Sequence, residues 1–175
     1  MIGTSIERAI GALPASAAEV EQAIKRIPGL EHAGAQLASS IHKAVLSGGT
    51  PARAIADALH GTWFGHPLHA ALTDIPIGAW ALAALFDAYA GMGGGPAAEQ
   101  AADMLLSIGA AAAVPTALAG LADYSAIDDR ALAVGAAHGL LNTAGLGLFL
   151  LSIWARAAGQ RRRGVLLSTL GLAVV

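Results

Sequence analysis

Six side chains in this sequence have the types and spacing that could do chemistry: His66, His69, Asp74, Asp123, His138 and Asn142. Three imidazoles and two carboxylates form a donor set for a single metal ion, and two of the imidazoles would suffice for the iron of a haem b. In Gly65-His66-Pro67-Leu68-His69, a proline in the first helical turn places His66 at the cap and His69 inside that turn. Imidazoles three residues apart can point at one ion, much as Glu-x-x-His does in carboxylate bundles. His138 and Asn142 are four apart and share a helix face. Three readings of His138 stay open on this pattern. It is a neutral imidazole bonded to a neighbouring helix, a ligand to haem iron or another metal, or a proton relay that contacts a quinone carbonyl together with Asn142. For the first pair the plain alternative is that His66 caps its helix and His69 meets lipid headgroups.

The segments that carry these residues are long and apolar. A bilayer-crossing helix needs about 20 predominantly apolar residues, and 70–90, 104–122 and 131–155 meet that length. Gly91-Met92-Gly93-Gly94-Gly95-Pro96 is a turn, because glycine and proline punctuate helices. Pro115 is expected to kink the second span. Asp123 to Arg130 reads as the next loop and Arg156 to Arg163 as a basic turn. The run 164–175 rises only about 18 Å at 1.5 Å per residue, so it is expected to be part of a fourth span, with the native chain continuing or the sequence stopping inside that helix. The expectation is an all-α protein: an integral membrane four-helix bundle over 66–175, its fourth helix incomplete, behind an N-terminal amphipathic helical arm over 1–65.

Successive spans alternate direction, which gathers the chemistry. The start of the first, the end of the second and the start of the third share one end, and with them His66, His69, Asp74, Asp123, His138 and Asn142. Ionisable groups in a membrane are costly and face the protein interior or a cavity. Asp87 lies about 20 Å along its helix from Asp74, near the opposite end, with no histidine beside it. Redox ligands therefore stand on one side only, and a histidine-ligated haem pair spanning the bilayer is not expected.

Composition agrees. Of 175 residues 55% are hydrophobic and 13% charged, whereas soluble domains carry about 25% charged residues; mean hydropathy is +0.61. A net charge of −2 excludes the basic stripe of a nucleic-acid binder. Without cysteine there is no disulfide, thiolate metal site, covalently attached haem or iron–sulfur cluster within these residues. No nucleophile–base pair or phosphate loop argues for a hydrolase or nucleotide enzyme. No apolar run of the signal-peptide kind occupies the first twenty residues, which hold Glu7 and Arg8.

In the arm, Ser16 with Glu19 three residues on forms a capping box. Leu30, Leu37, Ile41 and Val45 recur at helical spacing, predicting a helix over about 29–46. Thr50-Pro51 reads as N-cap and N1 of a third helix reaching Leu59. The arm is expected to cap the membrane domain, the alternative being an amphipathic surface in the headgroup layer. His32, His42 and His60 are expected to be solvated. Small residues such as Gly109, Ala113, Gly135, Gly139, Gly145 and Gly147 allow close helix packing. Trp63, Trp80, Tyr89, Tyr124 and Trp154 fall mostly near predicted span ends, as an aromatic belt does. Arg156, Arg161, Arg162 and Arg163 outnumber Arg53 and Arg130, so the positive-inside rule puts the histidine end outside the cytoplasm.

Leu59 to His69 together with Leu72-Thr73-Asp74-Ile75-Pro76-Ile77-Gly78-Ala79-Trp80 resembles the signature of the bacterial membrane family called domain of unknown function 2231. Gly120 to Tyr124 and Ala137 to Asn142 fall where that family has further blocks. The resemblance covers about 57–175; Ala70 stands where the family often has proline. It implies a four-helix bundle in the bacterial inner membrane, and membrane electron transfer with a Rieske iron–sulfur or cytochrome partner. With no Cys-x-His pair in this sequence, the cluster would lie beyond Val175 or on that partner.

The resulting expectation is a subunit of an oxidoreductase complex rather than an enzyme alone. His66, His69 and His138, with Asp74 and Asp123 nearby, would hold a haem b or a single metal ion and exchange electrons with quinone or the redox partner. The alternatives are a cofactor-free anchor or assembly subunit, and a quinone- or lipid-binding module headed by His138 and Asn142. Contacts with membrane lipid and incorporation into an oligomer or larger complex are expected in each case.

Overall fold

The computed structural model describes residues 16–175; Glu7, Arg8 and the rest of the first fifteen residues lie outside it. All regular structure among the described residues is helical. Helix α1 (Ala17–Lys25) opens on the expected capping box, Ser16 Oγ accepting from the Glu19 amide while the Glu19 side chain accepts from the Ser16 amide. Helix α2 spans Leu30–Ser47 and α3 Gly49–His60. The expected Thr50 cap is displaced to Gly48, because Gly49 takes a φ of 67° and turns the chain before Thr50 is reached.

Helix α4 (Leu68–Tyr89) has Pro67 at its N-cap, which leaves His66 one residue outside the helix and keeps His69 in the first turn. A non-helical Gly93 (φ 103°) and Gly95 (φ 70°) reverse the chain into α5 (Gly95–Ser125), which runs through Pro115. Asp123 and Tyr124 end this helix and are not in a loop; a 3-10 turn at Asp129–Ala131 leads into α6 (Leu132–Ala157). Helix α7 is Arg161–Val174. The continuous stretches Leu68–Ser125 and Asp129–Ala157 each hold an 18-residue segment, of mean hydropathy 1.8 and 1.5, and are long and apolar enough to cross a membrane; the first folds back on itself at Gly93.

Two antiparallel hairpins result. In α4–α5, His69 meets Gly120 and Trp80 meets Gly109; in α6–α7, Gly145 meets Val175 and Ser152 meets Gly164. The hairpins join at a core of Trp80, Ala83, Leu106, Ala113 and Phe149, with Leu172 of α7 against it. The Trp80 and Phe149 rings stack at 3.9 Å and 15°. Trp80 is therefore a core residue and not part of an aromatic belt, and so is Tyr124, whose buried hydroxyl donates to the Leu132 carbonyl at 2.9 Å. Trp63, Tyr89 and Trp154 do remain exposed. Gly109 is required where it stands: a Cβ there would strike the Trp80 indole.

At the end away from the histidines the expected basic turn takes another form. Arg156 lies within α6 with its side chain 3% exposed, paired with Asp87, whose side chain is 5% exposed. It also reaches Asp103 at 2.8 Å, Ser152 and Ser168. Arg161 adds contacts to Asp87, Asp103 and Glu99. A charge buried in apolar surroundings persists when paired and hydrogen-bonded, and this cluster ties all four helices together. Asp87 thus has two arginine partners. Arg156 and Arg161 are neutralised inside the fold, so among the described residues Arg162 and Arg163 are the cations left without an acidic partner at this end, equal in number to Arg53 and Arg130 at the histidine end.

Candidate functional site

At the histidine end the arm, α4, α5 and α6 line a largely apolar, partly open cavity of about 500 Å³. Pro76 and Trp80 of α4, Ala113 and Ala117 of α5, Leu146 of α6 and Leu30 of α2 supply apolar wall. Polar groups gather where His69 and His138 meet, with ring centroids 6.1 Å apart and planes at 87°.

His69 is set by α5. Its Nδ1 lies 2.9 Å from the Thr116 carbonyl oxygen, which can only accept, so Nδ1 carries the proton. In the neutral ring Nε2 is then a lone pair, the tautomer found when a histidine presents a nitrogen to a metal or a proton. Gly120 makes this possible, because a Cβ there would press on the His69 ring. Pro76 cannot donate to the Leu72 carbonyl; the Thr116 hydroxyl lies 3.4 Å from that oxygen and 2.8 Å from Ala112 O, and its single proton goes to the nearer.

On α6 the Asn142 amide donates to the His138 carbonyl at 2.8 Å and lies 3.2 and 3.4 Å from the two ring nitrogens. The i, i+4 spacing thus yields a real contact. The other sequence candidates stand elsewhere. His66 is exposed, edge-on to Phe64. Asp74 is exposed on α4 and lines no part of the cavity. Asp123 pairs with His60, Nδ1 to Oδ1 at 2.8 Å and half-buried; His60 is therefore a tether between α3 and α5 and not a solvated arm residue. The structure brings together His69, His138 and Asn142 and leaves His66, Asp74 and Asp123 outside that group. Among the described residues no three histidine, cysteine, aspartate or glutamate side chains are placed to share a metal ion.

Sequence reasoning missed Thr73, Thr116 and His60. Nothing in spacing links His60 to Asp123, 63 residues away. Thr116 did carry a signal, as a hydroxyl next to Pro115 on a span facing a second proline-containing span.

The cavity also depends on the arm. Gly34 and Ala38 of α2 are buried against α5 and α6, and a Cβ on Gly34 would strike the Tyr124 hydroxyl. Leu30, Ala33, Gly34 and Leu37 then form one side of the cavity.

Long apolar helices, charges paired inside the fold and a polar-headed cavity open on one side define a helical membrane protein with a cavity between its helices. The chain belongs to the family called domain of unknown function 2231, described as a predicted membrane protein, which matches residues 65–175. No curated protein and no solved structure matches it.

Proposed function

We propose that this protein is a multi-pass subunit of the bacterial inner membrane whose α4–α7 helices form a four-helix bundle, and that it binds a quinone-class molecule at the His69–His138 pair for electron transfer. The observation that carries this reading is the cavity itself. About 500 Å³ lies within the roughly 300–1,000 Å³ of small-molecule sites, its walls are apolar, and its polar groups cluster at one place. A ring with a hydrogen-bonding head and an apolar body fits that division. Electrons would pass to or from a Rieske-type or cytochrome partner.

Trp80 lines the cavity and supplies the readout. In a Trp63→Phe/Trp154→Phe background in nanodiscs, a short-chain quinone or quinol should quench Trp80 saturably. Gly139→Leu should abolish the effect, because Gly139 lines the cavity and a Cβ there meets nothing within 4 Å. Quenching that never saturates, or survives Gly139→Leu, would reject the site.

The free Nε2 of His69 beside His138 favours a second reading, a haem b or single metal ion held by these two imidazoles. Fit is partial, since two nitrogen donors are present without a third protein ligand. A reduced-minus-oxidised visible spectrum with metal analysis decides it: an α-band or stoichiometric metal that is lost in both His69→Ala and His138→Ala supports it, and a flat spectrum without metal removes it.

A further inference from the structure

Most hydrogen-bond donors around the cavity are already engaged. Thr73 Oγ1 donates to the His69 carbonyl at 2.7 Å, Thr116 to Ala112 at 2.8 Å and Thr143 to Gly139 at 2.7 Å. One N–H of the Asn142 amide is committed to the His138 carbonyl, the Tyr124 hydroxyl to Leu132 and His69 Nδ1–H to Thr116. Each of these partners is a backbone carbonyl, which only accepts, so the direction of every bond is fixed. The Trp80 indole N–H is unpaired but shielded, its nitrogen turned to Gly109.

What remains open at His69 is an acceptor, Nε2, beside the Asn142 amide oxygen and the hydroxyl lone pairs. The second Asn142 N–H faces the His138 ring, 3.2 Å from its Nδ1, and a neutral His138 adds one N–H. A ligand that brings only acceptors can pair with His138 but finds no donor at His69. A quinone carbonyl placed at His69 Nε2 sets lone pair against lone pair, and its buried oxygen goes unpaired. A hydroxyl there donates to that nitrogen. Its own oxygen can still accept from His138.

We infer that the chamber selects the reduced, hydroxyl-bearing form: its ligand is a hydroquinone-type head on an apolar body, with His69 Nε2 accepting the phenolic proton in a hydrogen bond. The inference rests on the quinone-class reading above and deepens it to one redox form. It concerns binding alone.

The probes are a short-chain benzoquinol, the matching quinone and the quinol's di-O-methyl ether, which keeps the shape and loses the donors. They are titrated against the full chain in nanodiscs by Trp80 quenching, anaerobically for the quinol, on the Trp63→Phe/Trp154→Phe background. One net hydrogen bond of about 1–1.5 kcal/mol predicts that the quinol binds about ten-fold tighter than the quinone. The ether should behave as the quinone does, and Gly139→Leu should abolish quinol binding. His69→Leu should erase the preference, and because the three ligands are also compared on unaltered His69, the result stands if that variant fails to fold. Quinone binding equal to or tighter than quinol, still abolished by Gly139→Leu, overturns the inference and leaves the site intact. If no probe saturates, or Gly139→Leu changes nothing, the site itself is refuted and the inference falls with it.

Discussion

Replacing Arg156 by methionine removes the side chain around which the far end of the molecule is organised. Arg156 holds both oxygens of Asp87 and one of Asp103, with Ser152 and Ser168 filling further N–H positions. Breaking a buried pair by removing one partner costs about 3–5 kcal/mol, because the other charge stays behind. Here the lower end applies, about 3 kcal/mol, since Arg161 still reaches Asp87 Oδ1 at 2.9 Å. Removing Arg161, whose side chain is 25% exposed, leaves Asp87 its better partner and should cost about 1 kcal/mol. The decisive variant is the double one, Asp87→Leu/Arg156→Met. It takes away both buried charges and fills the space with apolar atoms, so it should be more stable than Arg156→Met alone. The cycle should show a coupling of about 2 kcal/mol. Unfolding in mixed micelles, driven by denaturing detergent and followed by Trp80 fluorescence, measures all three. A cost for Arg156→Met below about 0.5 kcal/mol, within the range of ordinary surface changes, would refute a buried ionic junction, as would strict additivity in the cycle.

Two further outcomes follow from close approaches. Gly109→Ala puts a methyl group against the Trp80 indole, and overpacking there should cost about 1–3 kcal/mol, read as a lower unfolding midpoint with a shifted Trp80 emission. His60→Ala and Asp123→Asn should each cost no more than about 1 kcal/mol globally, as part-exposed pairs do. Yet each should speed hydrogen exchange in α2 and α3 relative to α4–α7, because the His60–Asp123 hydrogen bond joins the arm to α5; unchanged exchange in the arm would sink the tether.

What could be read from the sequence was what depends on neighbours in the chain. The Ser16–Glu19 capping box, the glycine turn after Tyr89 and the His138–Asn142 contact are local, and they occur as expected. Convergence of the histidine-bearing ends was also legible, since hairpins must alternate direction. Contacts that depend on helix rotation were not. Length and hydropathy place Trp80 in the middle of its span but do not reveal that it points inward onto Phe149. Likewise they place His66 next to His69, while Pro67 at the N-cap turns His66 away from the cavity. Asp87, Asp103 and Arg156 were a signal left unused: opposite charges at matching depth on adjoining apolar helices seldom stand there unpaired. Counting Arg156 as a headgroup-facing cation came from reading it by chain position, as part of a turn, when α6 continues one residue past it.

The two ends of the α4–α7 helices handle polarity in opposite ways, and that difference is the best guide to function. At the Asp87 end every buried charge has an answering charge, and nothing is left for a ligand to satisfy. At the His69 end hydroxyls and amides are bonded back to their own helices, as is common where Ser, Thr and Asn lie within apolar helices. This quiets their donors but leaves their lone pairs exposed. Such a wall is inert toward lipid, which offers nothing to bond, and receptive to a hydroxyl. His69 gives it an acceptor whose state is fixed by the Thr116 carbonyl, and the arm closes the chamber through Gly34, where any side chain would hold α2 off Tyr124. On the reading proposed above, a hydroquinone would make one more hydrogen bond to this wall than its quinone, because the two differ in little besides the protons that His69 Nε2 can accept.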